Sequence, residues 1–221
     1  PFNYNKQILL HILQKGYAKP DQSFLNYYLN NSNIRKFQTY YYLYPGMKRY
    51  IDEKTQNKIE IEITQKFGDD ISIFEEKYQV GANDSYICSL IRKDSVKEFI
   101  AYTNQKNLSL STRIKPSIYE TNSFLINKRP TLIEYAAFYG SIQIIQFLKY
   151  NNIPLTSSLW LYAIHSNNAE LIHFLEENVS KPKKSKTSDL NMKKLYGEIF
   201  KESIKCHHNE IAVYVRDNLL N

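Results

Sequence analysis

Cysteine is scarce in this chain: two residues in 221, Cys88 and Cys206, stand 118 positions apart. Two thiols so far apart cannot build a disulfide framework, so a reducing compartment is expected, cytoplasmic or nuclear. Long apolar runs are missing too, since the stretch 159–164 is among the longest and a spanning helix needs roughly 20 residues. The opening 2–17 has neither a basic leader nor a small-residue cleavage site, and is not expected to act as a signal peptide. No membrane partner is expected.

Glycine is equally sparse. The six glycines, at 16, 46, 68, 81, 140 and 197, never cluster, which excludes a Gly-rich phosphate loop, and a G-x-S-x-G elbow does not occur. Adjacent carboxylates appear at Asp69-Asp70, Glu75-Glu76 and Glu176-Glu177. Neighbours on a helix diverge by about 100°, so none of these pairs faces one substrate as acid and base. No catalytic residue and no cofactor is expected.

What the chain has in excess is Lys, Asn, Ile and Tyr. Lysines outnumber arginines 23 to 6 and there are 19 tyrosines, a pattern that an AT-rich coding bias explains as well as any function. The net charge of +7 is local: residues 181–194 hold six Lys and one Asp, leaving +2 for the remainder. Lys181, Lys183, Lys184 and Lys186 thus define a basic loop, about 179–191, read first as a solvated insertion and second as a contact for nucleic acid or nuclear import.

Apolar residues recur at three- and four-residue spacing, which predicts an all-α chain. Helices are expected over 6–14, 21–30, 34–43 and 47–67. Within the last, Ile59, Ile61 and Ile63 alternate with Glu60, Glu62 and Thr64 as in a strand, but the flanking Lys, Glu and Gln favour helix. The acidic, Gly-bounded stretch 68–84 reads as the boundary between a helical N-terminal segment, 1–80, and a second domain, 81–221.

That second domain is self-similar. EYAAFYGSIQIIQFL (134–148) aligns without gaps on LYAIHSNNAELIHFL (161–175) at an offset of 27, and that on KESIKCHHNEIAVYV (201–215) at an offset of 40. Each copy has a small residue (Ala136, Ala163, Ser203), a turn (Gly140, Asn167, His207) and an apolar stripe such as Ile144, Ile145 and Leu148. A fainter copy, SLIRKDSVKEFI (89–100), offers Ser95 and Glu98 as a capping box, and is followed by a long linker over 101–130. Thr131 and Glu134 offer a second box. Recurrence of this kind predicts an α-solenoid of stacked helix-turn-helix units, each pair stable only when neighbours cover its faces.

TLIEYAAFYGSIQIIQFLKYNN (131–152) resembles the ankyrin repeat, with Thr131, Ala136, Ala137, Gly140, Ile144, Ile145 and Leu148 at positions of its pattern; Leu132 stands where that pattern has Pro and Glu134 where it has His. The segments 120–125, 132–144, 158–178 and 202–215 look like the ankyrin-containing proteins of parasitic protists such as trichomonads, which carry a DUF3447-type domain. The resemblance covers about 80–221, and the first 80 residues are similar to the helical leader of such proteins. It implies a helical scaffold that binds another protein, with no catalytic residues.

On a scaffold of that kind the first helices and their turns would present Phe138, Tyr139, His165, Ser166, Lys205 and His207 to a partner. Cys206-His207-His208 is the one triplet with metal or nucleophile chemistry. Adjacent side chains diverge, whereas zinc ligands pair at longer spacing, so no metal site is expected there. A Cys206 nucleophile with His207 or His208 as base stands as the enzyme alternative. Trp160, the single tryptophan, is expected in the core.

Overall fold

A computed structural model describes residues 6–30, 34–68, 71–179 and 186–220. Among the described residues the chain is all-helical, with fourteen α-helices, a short 3-10 helix over Lys48–Tyr50, an isolated bridge between Arg113 and Thr131, and no β-strand. It divides into two compact units: Pro1–Ser85 with Lys115–Arg129, and Tyr86–Ile114 with Pro130–Asn221.

The first unit holds α1 (Lys6–Lys15), α2 (Gln22–Asn30), α3 (Ile34–Met47), α4 (Glu53–Phe67), α5 (Ile71–Val80) and α8 (Ser123–Lys128). Its core is a tyrosine cluster. Tyr41, Tyr42 and Tyr44 are fully buried on α3 with Leu43 and Met47, against Leu10 and Leu13 of α1, Ile59 and Ile63 of α4, and Phe74 and Tyr78 of α5. The excess of tyrosine that composition attributed to coding bias is therefore structural here. Buried hydroxyls need acceptors, and Tyr44 and Tyr41 donate to Glu60 and Glu62 at 2.6 and 3.1 Å. The alternating Ile and Glu of α4 thereby has an explanation in helical geometry. Ile59 and Ile63, four apart, face the core; Ile61 points out; the two glutamates flank the stripe and receive the phenols. Gly46 lets α1 and α3 approach, since a Cβ there would stand 3.0 Å from a Leu10 methyl and 3.1 Å from Leu13 Cβ.

Three boundaries differ from the sequence expectation. The expected helix over 47–67 is divided, because Asp52 in extended backbone accepts from the Thr55 N–H and restarts the chain as α4. The presumed boundary stretch 68–84 contains α5. The expected division near residue 80 and the linker over 101–130 give way to an exchange, in which 115–129 joins the first unit. Lys6 Nζ donates to the Ile118 and Glu120 carbonyls, Asn83 Nδ2 to the Lys115 carbonyl at 2.8 Å, and Thr121 to the Gly81 carbonyl through both N–H and hydroxyl. Burial draws the Lys6 ammonium down to about 8, with Glu120 opposing the shift.

The second unit is built from four helix pairs: α6 (Tyr86–Arg92) with α7 (Val96–Gln105), α9 (Leu132–Tyr139) with α10 (Ile142–Tyr150), α11 (Leu159–Ser166) with α12 (Ala169–Asn178), and α13 (Lys186–Lys205) with α14 (Asn209–Asn218). The first helices lie side by side in that order, α6 on α9, α9 on α11, α11 on α13, and α7 packs on α10. Ala136, Ala137, Ala163 and Ser203 are fully buried, so small side chains line the contacts between first helices. Trp160 is in the core, 5% exposed.

One turn recurs four times. Asp94, Gly140, Asn167 and His207 each take a left-handed conformation, with φ of 48°, 73°, 49° and 59°. Each donates its N–H to a carbonyl three residues back, and in three copies the next residue closes a wider ring, Ser95 to Leu90, Ser141 to Ala136 and His208 to Ser203. The residue types follow from sterics: Gly, Asn, Asp and His tolerate this region better than branched residues do. Thr131 and Glu134 form the expected capping box at the start of α9. The box expected at Ser95 and Glu98 is absent. Ser95 has ψ of 74° rather than the extended ψ of 170° at Thr131, and its hydroxyl caps nothing.

Neighbouring pairs are stitched through these turns. The Asp94 carboxylate accepts from the Gln143 and Ile144 N–H groups, both at 3.0 Å, capping α10 from the preceding pair. Ser141 Oγ donates to the Ile91 carbonyl at 2.6 Å instead of capping its own helix. The basic loop is shorter than expected. Lys186 opens α13, because 186–205 contains no proline and is rich in good helix formers; Lys181, Lys183 and Lys184 lie outside the described residues.

Asp94→Gly, which removes the carboxylate but relaxes the positive φ, is expected to cost about 1 kcal/mol. Asp94→Ala adds the left-handed penalty, about 1 kcal/mol more. Urea unfolding of the two variants against the parent chain checks both values.

Candidate functional site

Because first helices stack in sequence, positions related by the repeat offsets become neighbours. Phe138 and His165, 27 apart in the chain, meet face to face with ring centroids 4.6 Å apart. Lys205, 40 further on, holds the equivalent position on α13.

Two reactive side chains, Cys206 and Glu202, converge on His165. Its Nδ1 is 3.4 Å from Cys206 Sγ and its Nε2 is 3.4 Å from Glu202 Oε1. Glu202, in the last turn of α13, and Cys206, the residue just past its end, are four apart, so both face α11. The other carboxylate oxygen of Glu202 accepts from Lys205 Nζ at 2.9 Å. The imidazole is largely enclosed, 10% exposed at the side chain, and Glu202 is 17% exposed. Burial holds the His165 imidazole below its ordinary value, Glu202 pulls the other way, and His208 and Lys205 add to the lowering. Burial and the Glu202 charge push the Cys206 thiol up. Near neutral pH the arrangement is a neutral thiol beside a neutral imidazole, with a carboxylate behind it, rather than a thiolate-imidazolium pair.

Of the six expected contact residues, Tyr139 is half-buried, Lys205 and His207 are exposed, and Ser166 is engaged locally, donating to the Ala163 carbonyl and accepting from the Asn168 N–H. Phe138 is 8% exposed, enclosed between the His165 imidazole and the Tyr139 ring at 5.0 Å. His165 likewise belongs to the interior of the turn row. The histidine beside Cys206 is also not the one expected. His207 occupies the left-handed turn position and His208 precedes α14 as its N-cap residue, whereas the thiol meets His165, 41 residues upstream. Glu202 was missed altogether. Its signal is present in the sequence, since an i, i+4 Glu/Cys pair lies at the level of the register position shared by His165 and Lys205. No family model, no curated protein and no solved structure matches this chain.

The lowered His165 sets a direction for acid sensitivity. The unfolded chain takes up this proton near 6.5 and the folded chain only at lower pH, so stability is full above about 6.5 and falls as the pH drops toward the folded value. Denaturant midpoints measured across that window should decline for the parent chain, and His165→Gln should flatten the part of the decline due to this group.

Proposed function

We propose that the second unit is an ankyrin-like helical-repeat scaffold that binds another protein along its row of turns. The observation that carries this reading is the fourfold recurrence of one left-handed turn, at Asp94, Gly140, Asn167 and His207, between helix pairs whose first helices pack in order. Such a row exposes successive turn side chains on one edge while the apolar faces are spent on neighbouring pairs. Of the expected contact residues, those it leaves accessible are Tyr139, just before the turn of the second pair, and Lys205 and His207, at the turn of the fourth: an aromatic and two basic-capable groups. Aromatic and polar groups on a rigid edge give contact area at small entropic cost. The ankyrin resemblance of 131–152 supports the same reading, with the Thr131–Glu134 box opening α9 in place of the Pro and His of the usual pattern.

The experiment compares the parent chain with a triple variant, Tyr139→Ala, Lys205→Glu, His207→Ala, as baits in quantitative affinity capture. Any retained protein is then purified and titrated against both. A partner whose affinity falls at least tenfold for the triple variant, with helicity unchanged by circular dichroism, supports the reading. Equal affinity for both chains removes this edge from the proposal.

A further inference from the structure

Beyond partner binding, the side chains around His165 have the composition of a coordination site. We propose that His165, Glu202 and Cys206 bind a divalent transition-metal ion of the zinc type, clasping the third helix pair to the fourth. One imidazole nitrogen, one carboxylate oxygen and one sulfur lie within 4.8 Å of one another, the nitrogen from α11, the oxygen from the last turn of α13 and the sulfur from the residue that follows it. For Zn–S near 2.3 Å and Zn–N near 2.0 Å, the edge of a tetrahedron is roughly 3.5 Å. The Nδ1 to Sγ distance of 3.4 Å matches that edge, and the Glu202 carboxylate oxygen that completes the set lies within 4.8 Å. A mixed nitrogen, oxygen and sulfur set suits a borderline ion such as Zn²⁺ over Mg²⁺ or Ca²⁺, which take oxygen.

The charge balances. On binding, the Cys206 S–H bond breaks, sulfur donates its electron pair to the ion, and the proton leaves to solvent. Thiolate and carboxylate together then neutralise the two positive charges. Among the other groups facing the site, Lys205 carries a positive charge that opposes a cation, and the His208 imidazole lies nearby. Lys205 is 70% exposed at its side chain and already hydrogen-bonds the outer oxygen of Glu202, the place of an outer partner that orients a ligating carboxylate. Three protein donors leave a fourth position for water or a further group, the open arrangement of a site that is not purely structural. Phe138, stacked on the imidazole, fixes the ring plane.

The test uses the whole chain, stripped of metal with chelator, and Co²⁺ as the spectroscopic probe. One equivalent of Co²⁺ should produce a near-ultraviolet thiolate-to-cobalt band that Zn²⁺ displaces. Cys206→Ser should abolish the band and Cys88→Ser, at the buried thiol of α6, should retain it; His165→Gln and Glu202→Gln should each weaken Co²⁺ affinity by about tenfold or more. Absence of the band, or a band that survives Cys206→Ser, overturns the site. If Cys206→Ser loses helicity, the parent chain decides alone: Zn²⁺ should slow alkylation of Cys206, and unchanged labelling would count against coordination. None of these readouts involves a protein partner, so the site and the scaffold reading can fail independently.

Discussion

The second unit depends on reversing the chain after each first helix within two or three residues, at the cost of one residue with positive φ. Asp94, Gly140, Asn167 and His207 meet that constraint with four different residue types. Gly140 leaves room for the next turn, where Ser166 Cβ would stand 3.1 Å from an added methyl. Asp94 reaches forward to the α10 amides. The same backbone geometry thus serves close packing at one place and helix capping at another.

The first unit solves a different problem. Its core is aromatic and carries phenolic hydroxyls into the interior, which is tolerable only because α4 supplies carboxylates beside its apolar stripe. Desolvation and the neighbouring carboxylates raise the tyrosine pKa values, Tyr42 to about 12, so the phenols stay neutral donors throughout the physiological range. Large rings with one satisfied polar tip give much buried area per residue in a unit of modest size.

How much of this was legible follows the range of each interaction. The turns were readable from Gly140, Asn167 and His207 in register, because turn chemistry is local and the offsets of 27 and 40 located it. Helix content and the Thr131 cap were legible for the same reason. The exchange of 115–129 into the first unit was not, because the bonds that hold it, such as Lys6 to the Ile118 carbonyl, join residues more than a hundred positions apart. The Lys-rich stretch combines high charge with good helix propensity, and α13 begins inside it. Cys206 was paired with the histidines next to it in the chain, although stacking of first helices puts it beside His165. The offset that revealed the repeats comes within one residue of that contact, since it aligns Cys206 with Ser166, the neighbour of His165.

The bonds that cross from one helix pair to the next make the copies non-interchangeable. Asp94 caps a helix that is not its own, and Ser141 satisfies a carbonyl of the copy before it. Duplicating or reshuffling a single pair would bring an orphaned amide terminus and an unmatched hydroxyl to each new junction. Lengthening of such a chain over generations is therefore more readily accommodated in the connectors, like the one before α13, than by copying an interior unit, and the order of the pairs is itself inherited information.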